Sequence, residues 1–334
     1  MANILFYENQ FTIAGTTRAL LDYAHANQKY LGNTSFLAFN KKVDSSFEPH
    51  WSESNFKQAV DDSFDAVQKA FSTKLGEPSE NLEDYIKQNN IEYVYQIKSG
   101  EPDGYLFKNA KNLIHAVFPQ HPNHRHGEKY AFVSKWLSDH CSNGEIPYIP
   151  HMIKTPNYNL EEMKIEFRKK HNIPLDAKVF GRIGSYNEFN IDFVHEAIKQ
   201  VLNKDKNTYF IFCNTKGFYE HPNINYFYPV FDNKEKYSFI SACDAMIHAR
   251  RRGETFGISV AEYSSCNKPV FTWSESEEKA HLDMLGDIGI KYKNQEELEN
   301  LMLNYKISKD IDYNAYKDYN PESVIKKFKE VFLK

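Results

Sequence analysis

Short apolar segments alternate with amphipathic helical patterns along both halves of this 334-residue chain. In the first half, a strand is predicted over residues 3–7 and a helix from Thr16 onwards. In the second half, a strand over residues 179–183 precedes a helix over residues 192–202. Strands that alternate with helices are typical of open, doubly wound sheets with parallel strands. The chain is therefore predicted to be an α/β protein.

A stretch that contains prolines and a histidine, residues 146–156, interrupts this alternation and is predicted to connect two domains. The chain is longer than one typical hydrophobic core requires, which also favours two domains. We therefore expect one domain over residues 1–150 and a second over residues 151–314. The remaining residues, 315–334, include a predicted terminal helix.

The composition argues against disorder and against nucleic-acid binding. Hydrophobic residues make up 41% of the chain, which is enough to bury a core. The net charge of −4 provides no general attraction to nucleic acid. A local basic cluster, residues 168–170, is expected to form a solvated face of a helix.

The cysteines and the apolar segments indicate the compartment. The four cysteines are dispersed and include no Cys-x-x-Cys pair, which favours buried thiols in a reducing environment. The first residues lack the basic segment of a signal peptide, and no apolar stretch reaches the roughly 20 residues needed to span a bilayer. We therefore expect a cytoplasmic protein without a transmembrane segment.

The most informative motif runs from Cys243 to Glu262. It is predicted to form a buried strand over residues 245–249, a loop that ends in Gly253-Glu254, and a helix from about Phe256. The open N–H groups and the positive dipole at a helix N-terminus attract phosphate. Glu254 and Glu262, on either side of that N-terminus, can accept hydrogen bonds from sugar hydroxyls. The motif therefore suits a sugar nucleotide, whereas the alternative is an ordinary helix with an acidic first turn.

The order of these parts resembles the C-terminal half of retaining glycosyltransferases of family 4. The matching residues are two glutamates separated by seven residues, Phe256-Gly257 after the first, and Asn267-Lys-Pro-Val beyond the second. The resemblance implies the GT-B fold, in which two doubly wound Rossmann-like domains face each other across a cleft. It also implies that residues 1–150 form the acceptor side, that residues 151–314 bind the donor, and that the terminal helix packs back on the first domain.

The resemblance implies a role for each residue of the motif. Glu262 would hold the ribose hydroxyls of the donor, and Glu254 would bind hydroxyls of the transferred sugar. The backbone amides of Phe256, Gly257 and Ile258 would lie against the sugar and the phosphates.

A second candidate site is the loop of Gly181-Arg182-Ile183-Gly184, which follows a predicted strand. In family 4 an arginine here, and a lysine a few residues later, neutralise the donor diphosphate. Arg182 matches the arginine, and Gly184 lies in the same loop, but residues 185–190 contain no lysine. Arg250, or its neighbour Arg251 or Arg252, is a candidate for the missing cation.

Two loops of the first half are candidates on the acceptor side. Gly15 precedes the first helix and lets the backbone approach a ligand, although a simple turn and helix cap would also explain it. The resemblance places a histidine after a strand of this domain close to the donor sugar. His126 is the first choice for it and His121 the second, while a solvated loop of histidines is the alternative.

The sequence argues against metal-dependent and NAD-dependent chemistry. The Asp310-Ile-Asp312 element lies in a polar connection and is expected at the surface, so a metal-independent reaction is predicted. The loop at Gly181 lacks the third glycine of a dinucleotide fingerprint, because Asn187 occupies its position. No cofactor is expected beyond the nucleoside-diphosphate sugar that serves as donor.

The sequence thus predicts a hexosyltransferase that moves a sugar from a nucleotide sugar to a hydroxyl of a carbohydrate or glycoconjugate, with retention at the anomeric carbon. Arg182, Glu254 and His126 are the predicted catalytic residues. The alternatives are an epimerase or phosphorylase with the same fold, or a non-catalytic module that binds sugar nucleotides or glycans.

Overall fold

The computed structural model describes residues 1–11, 15–42, 53–75, 80–229, 232–306, 308 and 310–334. It divides the chain into two compact units. The N-terminal domain comprises Met1–Met152 and Asp318–Lys334, and the C-terminal domain comprises Ile153–Lys317. The division after residue 152 falls inside the stretch at residues 146–156 that the sequence predicts as a connection.

The N-terminal domain is built on a six-stranded sheet in the order β3-β2-β1-β4-β5-β6, whose paired strands are all parallel. Its strands are β1 (Asn3–Phe11), β2 (Thr34–Lys42), β3 (Ser72–Leu75), β4 (Tyr93–Lys98), β5 (Lys111–Ala116) and β6 (Lys129–Phe132). Its helices are α1 (Gly15–Leu31), α2 (Glu53–Ala70), α3 (Glu80–Gln88), α4 (Lys135–Ser142) and, from the end of the chain, α11 (Pro321–Phe332).

The C-terminal domain contains a second parallel sheet of six strands, in the order β14-β12-β10-β7-β8-β9. Its strands are β7 (Lys178–Ile183), β8 (Thr208–Cys213), β9 (Ile224–Phe227), β10 (Ala245–His248), β12 (Val270–Trp273) and β14 (Ile290–Tyr292), with β11 (Gly253–Glu254) and β13 (Glu278–Lys279) forming a separate two-stranded ladder. Its helices are α5 (Leu160–Lys170), α6 (Asp192–Lys204), α7 (Asn233–Ala242), α8 (Ile258–Ser265), α9 (Ala280–Leu285) and α10 (Gln295–Asn304).

Both sheets have the same topology, with one point at which the strand order reverses. The reversal lies between β1 and β4 in the N-terminal domain and between β7 and β10 in the C-terminal domain. In open α/β sheets, ligands bind outside the carboxyl ends of the strands at this switch point. The residues that follow β7 and β10 are therefore the first place to look for a site in the C-terminal domain.

Aromatic rings fill much of the core of the C-terminal domain. The ring of Phe180 on β7 lies 5.5 Å from that of Phe210 on β8 and 5.2 Å from that of Phe271 on β12. The apolar face of α6, including Val194 and Ile198, is buried against the same cluster. Because burial of each such side chain contributes about 1.5–3 kcal/mol, this core holds the strand ends in fixed positions.

The terminal helix α11 packs on the N-terminal domain. Phe328 lies between two tyrosine rings, 5.4 Å from Tyr23 on α1 and 5.2 Å from Tyr95 on β4. Phe332 also contacts Tyr95, at 5.8 Å. All four rings are buried, so the end of the chain is an integral part of this core.

The sequence interpretation of residues 168–170 is wrong for Arg168. Lys169 and Lys170 are exposed as expected, but Arg168 has no exposed surface. Its guanidinium donates to Asp244 at 2.9 Å and to the backbone carbonyls of Ala242, Leu175 and Ala177 at 2.8–3.0 Å. The local pattern of three basic residues does not show that the side chain of Arg168 points from α5 towards the start of the sheet.

Some details of the elements also differ from the sequence interpretation. β3 was not predicted, because its four residues directly follow the strongly amphipathic α2. α8 begins at Ile258, two residues after the predicted start at Phe256. The loop predicted at residues 76–78 and part of the loop before Gly15 fall outside the described residues. In the part of the chain that is described, no helix is long and apolar enough to cross a membrane.

Candidate functional site

Glu254 lies at the switch point of the C-terminal sheet, in the short strand β11 just beyond β10. β11 is held by parallel pairing with β13, Gly253 to Glu278 and Glu254 to Lys279. The carboxylate of Glu254 accepts a hydrogen bond from Nε2 of His248 at 3.2 Å and one from Nη1 of Arg250 at 3.0 Å. Its side chain is 22% exposed, so it remains accessible to a ligand.

A chain of hydrogen bonds behind Glu254 fixes its orientation. Nδ1 of His248 lies 3.0 Å from Oγ1 of Thr272, and Nε2 of His281 lies 3.1 Å from the same oxygen. One assignment of the ring protons satisfies these contacts: His281 donates to Thr272, Thr272 donates to His248, and His248 donates to Glu254. Burial keeps the pKa of His281 well below its usual value, so this ring is neutral. The chain therefore delivers one N–H to the carboxylate.

Glu254 is ionised throughout the physiological range. Burial by itself would raise the pKa of this carboxyl, but the hydrogen bond from His248 and the charge of Arg250 outweigh it and lower the pKa to about 2. A carboxylate of this kind accepts hydrogen bonds and stabilises positive charge. It has no proton to donate at neutral pH.

Arg250 connects Glu254 to the loop after β7. Its Nε donates to Oε2 of Glu188 at 2.7 Å, while its Nη1 donates to Glu254. Glu188 occupies the segment in which the resemblance leads us to expect a lysine. The two neighbouring arginines lie elsewhere, because Arg252 pairs with Glu278 at 2.8 Å and the Arg251 residue is exposed. Of the three arginines, Arg250 is therefore the one that the structure brings to Glu254.

Arg182, the penultimate residue of β7, is the buried cation of the site, with only 4% of its surface exposed. Its guanidinium donates to the hydroxyl of Thr215 and to the backbone carbonyls of Asn214, at 3.4 Å, and Ser185, at 2.9 Å. Among the described residues, no carboxylate forms an ion pair with it. Burial lowers the pKa of Arg182 to about 10, partly offset by the charge of Glu254, so it stays protonated at neutral pH.

Two glycines allow close packing around these side chains. A Cβ at Gly184 would lie 2.5 Å from Nη2 of Arg182, so the position leaves room for the guanidinium. Gly257 has φ +86°, and a Cβ there would lie 3.3 Å from the Cβ and Cγ atoms of Glu254. The positive φ favours glycine at this position, and a Cβ there would also require Glu254 to shift by a few tenths of an ångström.

The N-terminus of α8 is the predicted phosphate seat. Gly257 is its N-cap residue, and no side chain in the described part of the chain caps it. The first N–H groups of the helix, starting at Ile258, are consequently open to a ligand. Phe256 is 3% exposed, and its ring packs 5.8 Å from that of Tyr316, which anchors the loop before the helix.

Glu262 lies on α8, five residues beyond its N-cap. Its carboxylate forms an ion pair through Oε1 with Nζ of Lys236 on α7. The two side chains are 13% and 10% exposed respectively. The predicted ribose-binding carboxylate is therefore present, and it has a cationic partner that the sequence interpretation missed.

The structure brings most of the predicted site residues together in the C-terminal domain, whereas Gly15 and His126 belong to the N-terminal domain. Gly15 is the exposed first residue of α1. Nδ1 of His126 donates to the carbonyl of His124 at 2.8 Å, and its Nε2 is buried with no hydrogen-bond partner in the described ranges.

The loop between β5 and β6 carries the two candidate histidines at different places. Phe118 N donates to the carbonyl of Ser99 at 3.2 Å, so the loop leaves the carboxyl edge of the sheet there. Glu128 N donates to the carbonyl of Asn112 at 2.9 Å, near the start of β5. His121 follows the first contact closely, whereas His126 precedes the second. The assignment of a sugar-facing role to either histidine stays a prediction.

No group of His, Cys, Asp or Glu side chains that could hold a metal ion occurs among the described residues. Asp310 and Asp312 are exposed.

A known protein family matches the C-terminal domain in sequence, and known structures match both domains. A family model described as "Glycosyl transferases group 1" matches residues 163–276, which include Arg182, Glu254 and Glu262. No curated protein sequence matches the chain.

Solved glycosyltransferases resemble the whole chain. A glycosyltransferase from Rickettsia africae ESF-5 superposes with a TM-score of 0.68 at 15% identity, over 99% of this chain and 98% of that one. Anabaena Alr3699/HepE in complex with UDP-glucose gives 0.66 at 13% identity, over 99% and 96%. WaaG, a glycosyltransferase involved in lipopolysaccharide biosynthesis, gives 0.64 at 13% identity, over 98% and 99%.

These findings define the chain first as an α/β protein of the GT-B fold class. The match of the C-terminal domain then confirms the resemblance to glycosyltransferases, at the level of group 1.

Sequence reasoning missed several polar residues of the site. His248 is the last residue of β10, the strand inside the motif, so its place at the carboxyl edge was readable from the sequence. Glu188 and Lys236 are distant in sequence from the residues they contact, by 62 and 26 positions. His281 is nine residues from Thr272, but only the fold brings the pair to His248 and Glu254.

Proposed function

We propose that this protein is a retaining glycosyltransferase of family 4, which transfers a sugar from a nucleoside-diphosphate sugar to a hydroxyl group of an acceptor. The observation that carries the proposal is that Arg182, a buried cation with no paired carboxylate in the described part of the chain, lies with Glu254 at one switch point. A dianionic diphosphate would provide the countercharge for the Arg182 guanidinium. The open N-terminus of α8 follows Glu254 by three residues and supplies N–H groups for the phosphates.

In the proposed complex, Glu254 accepts hydrogen bonds from hydroxyls of the transferred sugar, and Glu262 accepts them from the ribose. Because the pKa of Glu254 is about 2, its charge also stabilises the positive charge that develops at the anomeric carbon. The backbone amides of Phe256, Gly257 and Ile258 lie against the sugar and phosphates. UDP-glucose in the similar Anabaena structure makes uracil the first base to test.

The reaction forms one bond and breaks one at the anomeric carbon. The acceptor oxygen bonds to that carbon on the face from which the diphosphate leaves, and the acceptor proton passes to an oxygen of the departing diphosphate. Arg182 stabilises the charge of the leaving group. Arg250, held between Glu188 and Glu254, is the cation that we assign to the place of the family lysine.

We further propose that the reaction requires neither a metal ion nor a cofactor, because the two arginines and the helix N-terminus provide the positive charge that a metal would supply. The acceptor is a carbohydrate or glycoconjugate, bound by the N-terminal domain at the loops of Gly15 and His126, with His121 as the alternative. The protein would act as a hexosyltransferase in the cytoplasm.

The first experiment measures thermal stability of wild type and E262A with UDP, GDP, ADP and TDP and their common sugar conjugates. A ligand at 100 times its Kd should stabilise the protein by about 2.7 kcal/mol, which corresponds to a shift of a few degrees. A shift that is specific for one base and lost in E262A would support the donor assignment. If no nucleotide shifts the midpoint of thermal unfolding of the wild-type protein or of E262A, the proposed function is wrong.

The second experiment measures release of the nucleoside diphosphate from the donor that binds. E254Q and R182M should lower the rate by about 10²–10³-fold, since each removes charge stabilisation in the transition state. E196Q is the matched control, because Glu196 is 51% exposed on α6 and pairs with the partly exposed Lys199. Wild-type rates in E254Q would contradict the role of Glu254. Binding without turnover in any acceptor screen would favour a binding module.

A further inference from the structure

Lys236 and Glu262 form the most buried lysine–glutamate pair in the described part of the chain. Nζ of Lys236 contacts Oε1 of Glu262, and neither side chain is more than 13% exposed. The pair connects α7 to α8, two helices separated in sequence by β10 and β11.

The position of Lys236 is set by the start of α7. Asp232 is the N-cap residue of that helix, and its carboxylate accepts from the N–H groups of Lys234 and Glu235 at 2.7 and 3.1 Å. Helices that follow parallel strands begin at the carboxyl edge of the sheet, so the first turn of α7 lies at the same edge as the N-terminus of α8. Lys236 is therefore held by a capped helix at the edge where the ligand is proposed to bind.

The pair has a chemical consequence for the proposed ribose contact. A carboxylate has two oxygens that only accept hydrogen bonds, and an ammonium group only donates them. The contact between Lys236 and Oε1 fixes the orientation of the Glu262 carboxylate. The direction in which Oε2 can accept a hydrogen bond is therefore fixed as well. A nearly buried carboxylate without such a partner would be strongly destabilised in that position.

We propose that Lys236 is a positioning residue for ribose recognition. Its ammonium group holds Oε1 of Glu262, so that Oε2 is presented to a hydroxyl of the donor ribose. The inference rests on the proposed function, because it assigns the ribose to Glu262, and it adds a residue that determines preference for a ribonucleotide over its deoxy analogues.

The test measures binding of UDP, 2′-deoxy-UDP and 3′-deoxy-UDP to the full chain by titration calorimetry. The variants are K236M, which removes the charge and keeps the length, and K236R, which keeps the charge. K204M is the matched control, because Lys204 also pairs with a glutamate, Glu299, at 2.8 Å, but from the C-terminal end of α6.

In wild type, UDP should bind about tenfold tighter than at least one deoxy analogue, since that analogue leaves a polar group of the site unpaired. K236M should lose this preference, with UDP weakened about tenfold and that analogue little changed. K236R should keep most of the preference, and K204M should behave as wild type.

Each other outcome overturns the inference in a recognisable way. If K236M weakens UDP and the deoxy analogues equally, Lys236 supports only the fold, and the melting temperature without ligand should fall in parallel. If K236M keeps the wild-type preference, Lys236 does not position Glu262 for the ribose, while the proposed function stands. If wild type binds UDP without preference, Glu262 does not contact the ribose. If wild type binds no nucleotide, the proposed function fails together with the inference.

Discussion

Arg250 donates a 3.0 Å hydrogen bond to Glu254, the residue four positions after it, and holds Glu188 with the other side of the same guanidinium. Glu188 lies in the loop after β7, and Glu254 lies in β11, just beyond β10; β7 and β10 are the neighbouring strands at which the sheet order reverses. The arginine thus joins the two loops at the switch point and leaves one cation, Arg182, without a paired carboxylate among the described residues.

Replacement of Arg250 tests whether it acts as the second cation for the diphosphate. R250M should lower the rate of donor turnover by about 10²-fold, because it removes transition-state stabilisation and releases Glu188 and Glu254. R250K should recover only part of this loss, since a lysine cannot donate to two carboxylates in the same planar geometry. The measurement is the rate of nucleoside-diphosphate release. R251M is the control, and an equal loss there would contradict the assignment.

Gly257 combines a positive φ with a short distance to Glu254, so G257A should affect both stability and donor binding. A non-glycine residue in the left-handed region costs about 1–2 kcal/mol. The added methyl group would also press on the Glu254 side chain, since it would lie 3.3 Å from Cβ and Cγ of that residue. Urea denaturation and donor titration measure the two effects. In the control G217A, the nearest atom to the new Cβ is 3.8 Å away, so wild-type behaviour is expected.

Glu8 in the N-terminal domain should make stability depend on pH near neutrality. Burial raises the pKa of this carboxyl to about 7, despite hydrogen bonds with Thr17 and Thr16, and one of its oxygens is buried without a hydrogen-bond partner among the residues that the structure describes. The folded pKa lies above the unfolded value of 4.5. The contribution of protonated Glu8 to the free energy of unfolding is therefore fully present below pH 4.5, and it is lost as the pH rises through 7.

The glutamine of E8Q does not titrate. The stability of E8Q relative to wild type should therefore increase as the pH rises from 4.5 to 8. The expected change in the difference between their free energies of unfolding is about 3 kcal/mol. Urea denaturation at several pH values gives this difference. The exposed substitution E196Q provides the control curve, and a flat difference between wild type and E8Q would contradict the raised pKa.

Asp244 and Arg168 form a buried ion pair at 2.9 Å, with 5% and 1% of their side chains exposed. D244N leaves the guanidinium without its countercharge, and loss of one partner of such a pair costs about 3–5 kcal/mol. The measurement is the unfolding free energy in urea. D139N, in the exposed pair with Lys135, should cost at most about 1 kcal/mol. Equal effects of the two substitutions would show that the buried pair has no special importance.

The order of strands and helices was readable from the sequence, because each element has its own hydrophobic period. The sequence also indicated Glu254, Glu262 and Arg182, because a strand, a loop and a helix N-terminus are close in the chain as well as in space. Missed elements were short, such as β3, where four residues are too few to establish a period.

The charge pairing of the site was not readable from the sequence. Arg250 and Glu188 are 62 residues apart, and Arg168 and Asp244 are 76 apart. The sequence does not fix which side chains meet when the distance between them depends on the packing of several elements. For the same reason, Arg168 looked like part of a solvated basic cluster.

The sequence by itself determined the succession of elements and the polar residues that stand at the ends of β7 and β10, because local periodicity and capping depend on neighbouring residues. The tertiary structure decided that Arg250 joins two carboxylates, that Lys236 holds Glu262, and that Arg182 is buried without an ion-pair partner among the described residues. These relationships depend on the order of the strands in the sheet, which brings residues from distant parts of the chain to one edge.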